Sequence, residues 1–405
     1  MFFNLVYILS CKLKSLTAGV FIIVILLCFP VISWAGEAPG LVEEFIEPHL
    51  ESNEIRNLQR NLEGSMTKEA RDLIPYYSAN QLMEELVRGN LKDDMGGLPQ
   101  RIINLLIGEI KVNFALVLKL IIIIFLSSFI KNLQGSFKES TVGELAYFSC
   151  YAAVVTMLAL GFQNVLEYAR EVLGIVDKIT SFAIPSMIAL LISSGNFVSG
   201  STLQPILLFA IQATVKIFNN VFLPLCFMAG ILYIISGLSE KIKVSGMASF
   251  LKQIVTWGLG GILTLYASAV ALRGFAGAVI DGATTKTAKA AMSTFIPVAG
   301  KYMADAADTI ISCALVIKNT AGMATMIITL AACLTPILKI FTISMMYRFA
   351  AAVIEPVADE RFFDCMSSVS DCMKTILGVV GAAVFMLLLS IAALLGAGGV
   401  SGMMQ

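Results

Sequence analysis

The sequence has 405 residues, of which 58% are apolar and 14% are charged, and its formal net charge is zero. A soluble domain of this length cannot bury so much apolar surface in one core, so part of that surface must face lipid. Without a polybasic tract, nucleic-acid binding has no electrostatic basis. We therefore predict an all-α, polytopic helical membrane protein whose partners include the lipid bilayer and no nucleic acid.

Residues 1–35 have the pattern of an export signal. Lys12 and Lys14 form a basic region, residues 18–29 form an apolar region, and small residues precede a cleavage point at Ala35. This pattern predicts a signal peptide that is cleaved after Ala35. The alternative is an uncleaved first transmembrane helix, which the short apolar region disfavours.

Residues 36–104 are polar and acidic, and apolar residues recur in them near the helical period. Because this region follows the signal peptide, we predict a small exported helical region. It is either a docking surface for an extracytoplasmic partner or a solvated spacer.

Residues 105–170 contain the first two predicted transmembrane helices, 112–130 and 145–166. Lys131 and Lys138 lie in the loop between these helices. Since cytoplasmic loops carry an excess of lysine and arginine, this loop is predicted to be cytoplasmic.

Two segments, 171–274 and 283–396, are predicted to be diverged copies of one membrane repeat, followed by a glycine-rich tail, 397–405. "SFAIP" in the first copy recurs as "STFIP" in the second, and Pro224 recurs as Pro336 at the same offset. The closing stretches "LKQIVTWGLGGILTLYASAVAL" and "MKTILGVVGAAVFMLLLSIAAL" align without gaps. Chance similarity between apolar sequences is the alternative.

Four prolines of the two copies are candidate helix breaks: Pro185, Pro224, Pro297 and Pro336. A proline removes a backbone hydrogen bond, and a membrane helix tolerates it where neighbouring protein or a cavity satisfies the freed carbonyl. We therefore predict interior, proline-broken helices. The apolar run 181–193 is short for a span and is predicted to be re-entrant or interior. Ordinary kinks without function are the alternative.

The charged loops of the two copies differ in sign. Residues 239–252 contain three lysines and one glutamate, whereas residues 347–374 contain five acidic and three basic residues. This difference suggests the hypothesis that the two copies cross the membrane in opposite directions, although acidic residues contribute little to orientation.

Four polar residues of the second copy fall on one predicted helical face: Lys301, Asp305, Asp308 and Ser312. Charged side chains in apolar segments are costly and often functional, so this stripe is a candidate polar path. Its alternative is a position at the lipid headgroups. The isolated Lys119 and Lys216 are predicted to extend their ammonium groups to a membrane interface.

An enzyme is the least supported class of function. His49, the single histidine, lies in the predicted exported region, so a Ser/His or HExxH centre within the membrane part is excluded. The sequence contains no phosphate-binding loop or dinucleotide fingerprint, and its cysteines lack metal-ligand spacing. We predict no catalytic residue, no cofactor and no metal site.

Three segments resemble the stage III sporulation protein AE family of endospore-forming bacteria: "SFAIPSMIALLISSGN", "FLPLCFMAGILYIISGLSEKIK" and "VIEPVADERFFDCMSSVSDCMK". With the signal peptide and the acidic exported region, the resemblance covers essentially the whole chain. It implies a membrane protein made in the mother cell that joins the other proteins of the stage III sporulation A operon. Their channel or secretion-like assembly is connected to the engulfed forespore through the forespore protein SpoIIQ, and an Oxa1/YidC-type insertase is implied in biogenesis.

The residues and the resemblance together predict a membrane subunit, structural or pore-forming, of the channel between mother cell and forespore. Endospore development and late forespore gene expression would require this complex. The predicted location is the mother-cell membrane around the forespore, with multiple spans and the N-terminal region exported to the intermembrane space. A stand-alone secondary transporter and a non-conducting scaffold are the alternatives. We expect about seven spans, give or take one.

Overall fold

A computed structural model describes residues 53–71, 73, 78–88, 97–134, 141–194, 197–238, 244–295 and 299–396. Every regular element in these ranges is a helix, so the all-α prediction is confirmed. The predicted signal peptide, its cleavage point at Ala35, His49, Pro297 and the glycine-rich tail 397–405 lie outside the described residues.

The described residues form ten α-helices: α1 Asn53–Gly64, α2 Lys68–Arg71, α3 Ala79–Arg88, α4 Leu98–Gln134, α5 Thr141–Ser193, α6 Phe197–Ile217, α7 Leu223–Leu238, α8 Ser245–Phe295, α9 Ala299–Ile354 and α10 Glu360–Gly396. A π-helical segment, Phe218–Phe222, joins α6 to α7. In the part of the chain that the structure describes, six stretches are long and apolar enough to span a membrane, which confirms a polytopic membrane protein.

Helices α5 and α9 are much longer than a membrane requires. They contain 53 and 56 residues, so at 1.5 Å per residue each is about 80 Å long. The hydrocarbon core of a bilayer is only about 30 Å thick. More than half of each helix must therefore lie outside the hydrocarbon core.

The centre of the molecule is formed by α5, α9 and α10, which pack against one another. Tyr347 of α9 contacts Gly161 of α5, and Gly322 lies beside Met187, so α5 and α9 are antiparallel. Helices α8, α9 and α10 each contain an apolar stretch of 18 residues. The buried share of that stretch is 72% in α9 and 61% in α10, but only 11% in α8. α8 is therefore peripheral, whereas α9 and α10 are interior helices.

Glycines let these helices approach closely, because a neighbouring aromatic ring takes the space of the missing side chain. Phe162 of α5 lies against Gly230 of α7, and Tyr151 of α5 lies against Gly237 of α7. The Tyr151 hydroxyl also donates a hydrogen bond to the carbonyl of Ile234 at 3.1 Å. These contacts fix α7 antiparallel to α5.

Helices continue through two of the four prolines that were predicted to break them. Pro185 lies inside α5 and Pro336 lies inside α9, and neither helix ends there. The run 181–193 is consequently the end of a 53-residue helix and not a separate short segment. At Pro224 the chain changes register instead, because the preceding π-helical turn pairs the N–H of Leu223 with the carbonyl of Phe218.

The described part of the predicted exported region packs against the long helices. α1 contacts α5, and α1, α2 and α3 all contact α9. The side chains of Leu58, Leu62 and Met83 are buried in the same apolar core as those of α5 and α9. Between residues 53 and 88 this region is thus part of the folded body and not a detached spacer.

The closing helices of the two predicted repeats, α8 and α10, run in the same direction. Lys252 near the start of α8 pairs with Asp371 of α10, and further along Tyr266 hydrogen-bonds to Ser390. The hypothesis of opposite membrane directions is therefore wrong. It rested on acidic residues, which contribute little to membrane orientation, and the repeat itself stays a prediction.

We expect Gly230→Leu to prevent normal packing, because the new side chain would occupy the space of the Phe162 ring. Overpacking of this kind typically costs about 1–3 kcal/mol. Gly261→Leu on α8 is the matched control, since nothing lies within 4 Å of a side chain added there. Thermal unfolding in detergent should show a large decrease in melting temperature for Gly230→Leu only. Equal melting temperatures for both variants would contradict the described packing.

Candidate functional site

The predicted polar stripe lies at the start of α9. Lys301, Asp305 and Asp308 belong to its helical backbone, but their side chains lie outside the described residues; Ser312 is described and exposed. Their common helical face therefore stays a prediction.

A different polar cluster joins α8 to α10. The Nζ atom of Lys252 lies 3.9 Å from Oδ2 of Asp371, and the Nζ atom of Lys374 lies 3.3 Å from Oδ1 of the same carboxylate. The three side chains are 30%, 28% and 37% exposed. One carboxylate thus holds two ammonium groups, one from a neighbouring helix and one from its own.

Helix α7 closes this cluster on a third side. The hydroxyl of Tyr233 on α7 lies close to Ser249 of α8 and to Asp371. Cys226 of α7 and Cys372 of α10 are buried near Lys252. Side chains of three helices therefore converge on Asp371, and we call Lys252, Asp371 and Lys374 the charged cluster.

The surface beside the charged cluster is apolar. Phe250 and Ile254 flank Lys252 along α8 and are 61% and 41% exposed. Charged groups in an apolar band are costly unless they are paired, and they commonly mark functional positions in membrane proteins. The charged cluster can clamp α8 to α10, and it can also provide a polar contact for a permeating group.

Helix α10 carries further polar contacts on the same side. Ser370 donates a hydrogen bond to the carbonyl of Ser344 on α9 at 2.9 Å, and Arg348 of α9 bonds to Ser367. Ser367, Asp371 and Lys374 are spaced by four and three residues, which places them on one helical face. Residues 347–374 were interpreted from the sequence as a charged loop, but residues 347–354 belong to α9 and residues 360–374 to α10. The spacing of Ser367, Asp371 and Lys374 indicated a helix with one polar face.

Lys318 of α9 is buried, with no exposed surface. Its ammonium group donates hydrogen bonds to the carbonyls of Leu394 and Leu395 at 3.3 and 3.2 Å. The last carbonyls of a helix lack partners within the helix, and a cation complements their partial negative charge. Lys318 therefore caps the C-terminal end of α10.

Sequence reasoning named Lys119 and Lys216, which are both exposed, and missed Lys318. The signal was present, because Lys318 interrupts the apolar run "IISCALVIKNTAGMATMIITLAACL". A lysine in such a run is either near an interface or buried with a partner. The sequence does not show which of these two environments each lysine has.

A cavity of about 310 Å³ lies between the turn after α1 and the side of α5. It is lined by Thr67 and by Arg170, Glu171, Gly174 and Lys178 of α5. A smaller cavity of about 20 Å³ lies between α4, α5 and α9. Among the described residues, no three His, Cys, Asp or Glu side chains are close enough to hold a metal ion.

The comparisons with known proteins agree on one family. The family model for stage III sporulation protein AE matches residues 77–398. A protein of Bacillus subtilis (strain 168) named stage III sporulation protein AE is 30% identical over 332 residues, which cover 80% of this chain and 83% of the relative. The chain belongs to the stage III sporulation protein AE family. No solved structure matches it.

Membership of the stage III sporulation protein AE family implies a role in sporulation. Neither the family description nor the name of the relative refers to an enzymatic activity. The family match includes all six apolar spans together with α3, and so covers both the charged cluster and the Lys318 cap.

We expect Asp371→Asn to destabilise the protein more than Lys252→Gln does, because the first change leaves two ammonium groups without their shared carboxylate. Since the pair is about one-third exposed, the coupling energy in a double-mutant cycle should be about 0.5–1 kcal/mol. Asp177→Asn on the exposed side of α5 is the control. Additive effects of the two substitutions on unfolding in detergent would show that no coupling exists.

We expect Lys318→Met to cost about 1–3 kcal/mol, because it leaves buried carbonyls at the end of α10 without this donor. The matched control is Lys216→Met, which changes an exposed lysine of α6 and should stay within about 0.5 kcal/mol of the parent. Unfolding in detergent measures both. A Lys318→Met variant as stable as the control would refute the capping role.

Proposed function

We propose that this chain is a membrane subunit, structural or pore-forming, of the channel or secretion-like complex between mother cell and forespore. The complex would be required for endospore development and for late forespore gene expression. Membership of the stage III sporulation protein AE family supports the role in sporulation. The observation that carries the proposal further is the length of α5 and α9, which exceeds the thickness of a bilayer more than twofold.

Such length suits a protein that connects a membrane to partners beside it. α1 to α3 pack on the long helices and present exposed polar residues, among them Asn57 and Arg60. A stable surface of this kind favours the docking role of the N-terminal region. Its proposed partners are the other proteins of the stage III sporulation A operon and, directly or through them, the forespore protein SpoIIQ.

The proposed location is the mother-cell membrane around the forespore, with the N-terminal region in the intermembrane space. Lys131, in the last turn of α4, and Lys138, between α4 and α5 in the sequence, support this orientation, because lysines are enriched on the cytoplasmic side of a membrane protein. An Oxa1/YidC-type insertase is the proposed partner in biogenesis.

The two alternatives have less support. A secondary transporter would favour discontinuous helices at corresponding positions of two repeats, but α5 and α9 continue through Pro185 and Pro336. A non-conducting scaffold would have the same membrane fold and the same partners as the proposed channel subunit. The polar stripe at Lys301, Asp305 and Asp308 separates these functions, because a transporter would depend on its charges.

The test is affinity purification of the tagged chain from sporulating cells. We expect the proteins of the same operon to co-purify, and we expect the double variant Asn57→Glu, Arg60→Glu to reduce their recovery several-fold. Lys216→Glu, which changes an exposed residue of α6, is the control and should not reduce it.

A transporter would give the opposite pattern. The chain would purify without these proteins, and sporulation would fail in the combined variant Lys301→Gln, Asp305→Asn, Asp308→Asn. That outcome would overturn the proposed subunit role.

A further inference from the structure

Large exposed apolar side chains are concentrated in one half of the molecule. They occur on α4, α5, α7, α8 and α9, and examples are Phe129, Phe148, Phe227, Phe250 and Phe349. Contacts between Gly161 and Tyr347, and between Tyr151 and Ile234, place the corresponding parts of α5, α9 and α7 side by side. The exposed residues of these helices therefore form a band, which we call the apolar belt. Other exposed apolar residues lie beyond it: Ile103, Ile107 and Ile110 of α4, Phe209 and Ile217 of α6, Val221 and Leu265.

The other half of the molecule has a different surface. After Leu160, the exposed positions of α5 include Gln163, Glu167, Arg170 and Lys178, and none is a large apolar residue. On α9, Asn319 is the one exposed residue between positions 318 and 340. α1 to α3 cover this half, since they pack on α5 and α9.

The most apolar runs lie inside this second half. Residues 376–394 of α10 include no exposed position. Lys318 contacts the end of α10, and Gly322 contacts Leu395, so the first half of α9 packs beside this run. Composition alone would assign residues 376–394 of α10 and the first half of α9 to the bilayer, but neighbouring helices cover both.

We propose that the bilayer surrounds only the apolar belt, and that the second halves of α5 and α10 and the first half of α9 form, with α1 to α3, a helical bundle outside it. Along α4 the belt extends from Val112, directly after the exposed Lys111, to Phe129, which is about 26 Å and close to the thickness of the hydrocarbon core. The exposed Ile103, Ile107 and Ile110 precede it and alternate with the polar residues Asn104, Glu109 and Lys111. The part of α5 after Leu160 contains 33 residues to Ser193, or about 50 Å of helix.

Lipid is the occupant that fits the belt, because exposed apolar side chains of five helices contribute to it and its length along α4 matches the thickness of the hydrocarbon core. Ser344, which binds Ser370 of α10, lies between the exposed Phe341 and Phe349 of α9. The charged cluster follows Ser370 directly and is therefore at the level of the lipid. This inference concerns the position of the membrane and does not depend on the proposed complex.

Fluorescence quenching of single tryptophans tests the inference in reconstituted full-length protein. Trp34 and Trp257 are the two tryptophans of the chain, and Trp257 is 62% exposed in the belt. In a background with both replaced by phenylalanine, Phe227→Trp and Phe349→Trp report on the belt. Ser181→Trp on α5 and Asn319→Trp on α9 report on the second half, and both positions are exposed.

We expect lipids with brominated acyl chains to quench the two belt tryptophans several-fold more than the two others. Aqueous iodide should quench Ser181→Trp and Asn319→Trp preferentially. Each half of the molecule is represented by two tryptophan positions on different helices. If one variant does not fold, the other variant of that half still allows the two halves to be compared. Strong quenching of Ser181→Trp and Asn319→Trp by brominated lipid would overturn the proposal.

Discussion

Burial of α10 is the constraint on which the rest of the structure depends. Its residues 376–394 are almost entirely apolar and include no exposed position, so other helices must cover this run on every side. α5 and α9 do so by extending far beyond the length that a membrane span needs. The burial of so long an apolar helix contributes a large hydrophobic free energy, at about 25 cal/mol per Å² of covered apolar surface.

Polar contacts then fix how α10 lies among its neighbours. Lys318 binds the carbonyls at its C-terminal end, Ser370 binds α9, and Asp371 binds Lys252 of α8. Apolar packing alone tolerates sliding and rotation, whereas a buried polar group has a cost unless it meets its partner. These three contacts, on two different neighbours and on both sides of the apolar run 376–394, therefore define one position and one rotation for α10.

The sequence predicted the class of fold well, because composition alone requires a helical membrane protein of this size. It did not predict that Pro185 and Pro336 lie within continuous helices. A proline removes one hydrogen bond, and whether the helix ends there depends on the neighbours that pack around it. The sequence also misassigned residues 360–374, whose charge suggested a loop although their spacing fitted a helix. Which lysine is buried depends on tertiary contacts, so Lys318 could not be separated from Lys216 by sequence.

The direction of α8 relative to α10 is the most direct test of this account. In membranes, and in a background without native cysteines, a short bifunctional thiol reagent should link Lys252→Cys to Asp371→Cys, and Tyr266→Cys to Ser390→Cys. It should not link Lys252→Cys to Ser390→Cys, because these positions are about 28 Å apart along parallel helices. Linkage of that crossed pair, with no linkage of the two matched pairs, would contradict the central position and direction of α10.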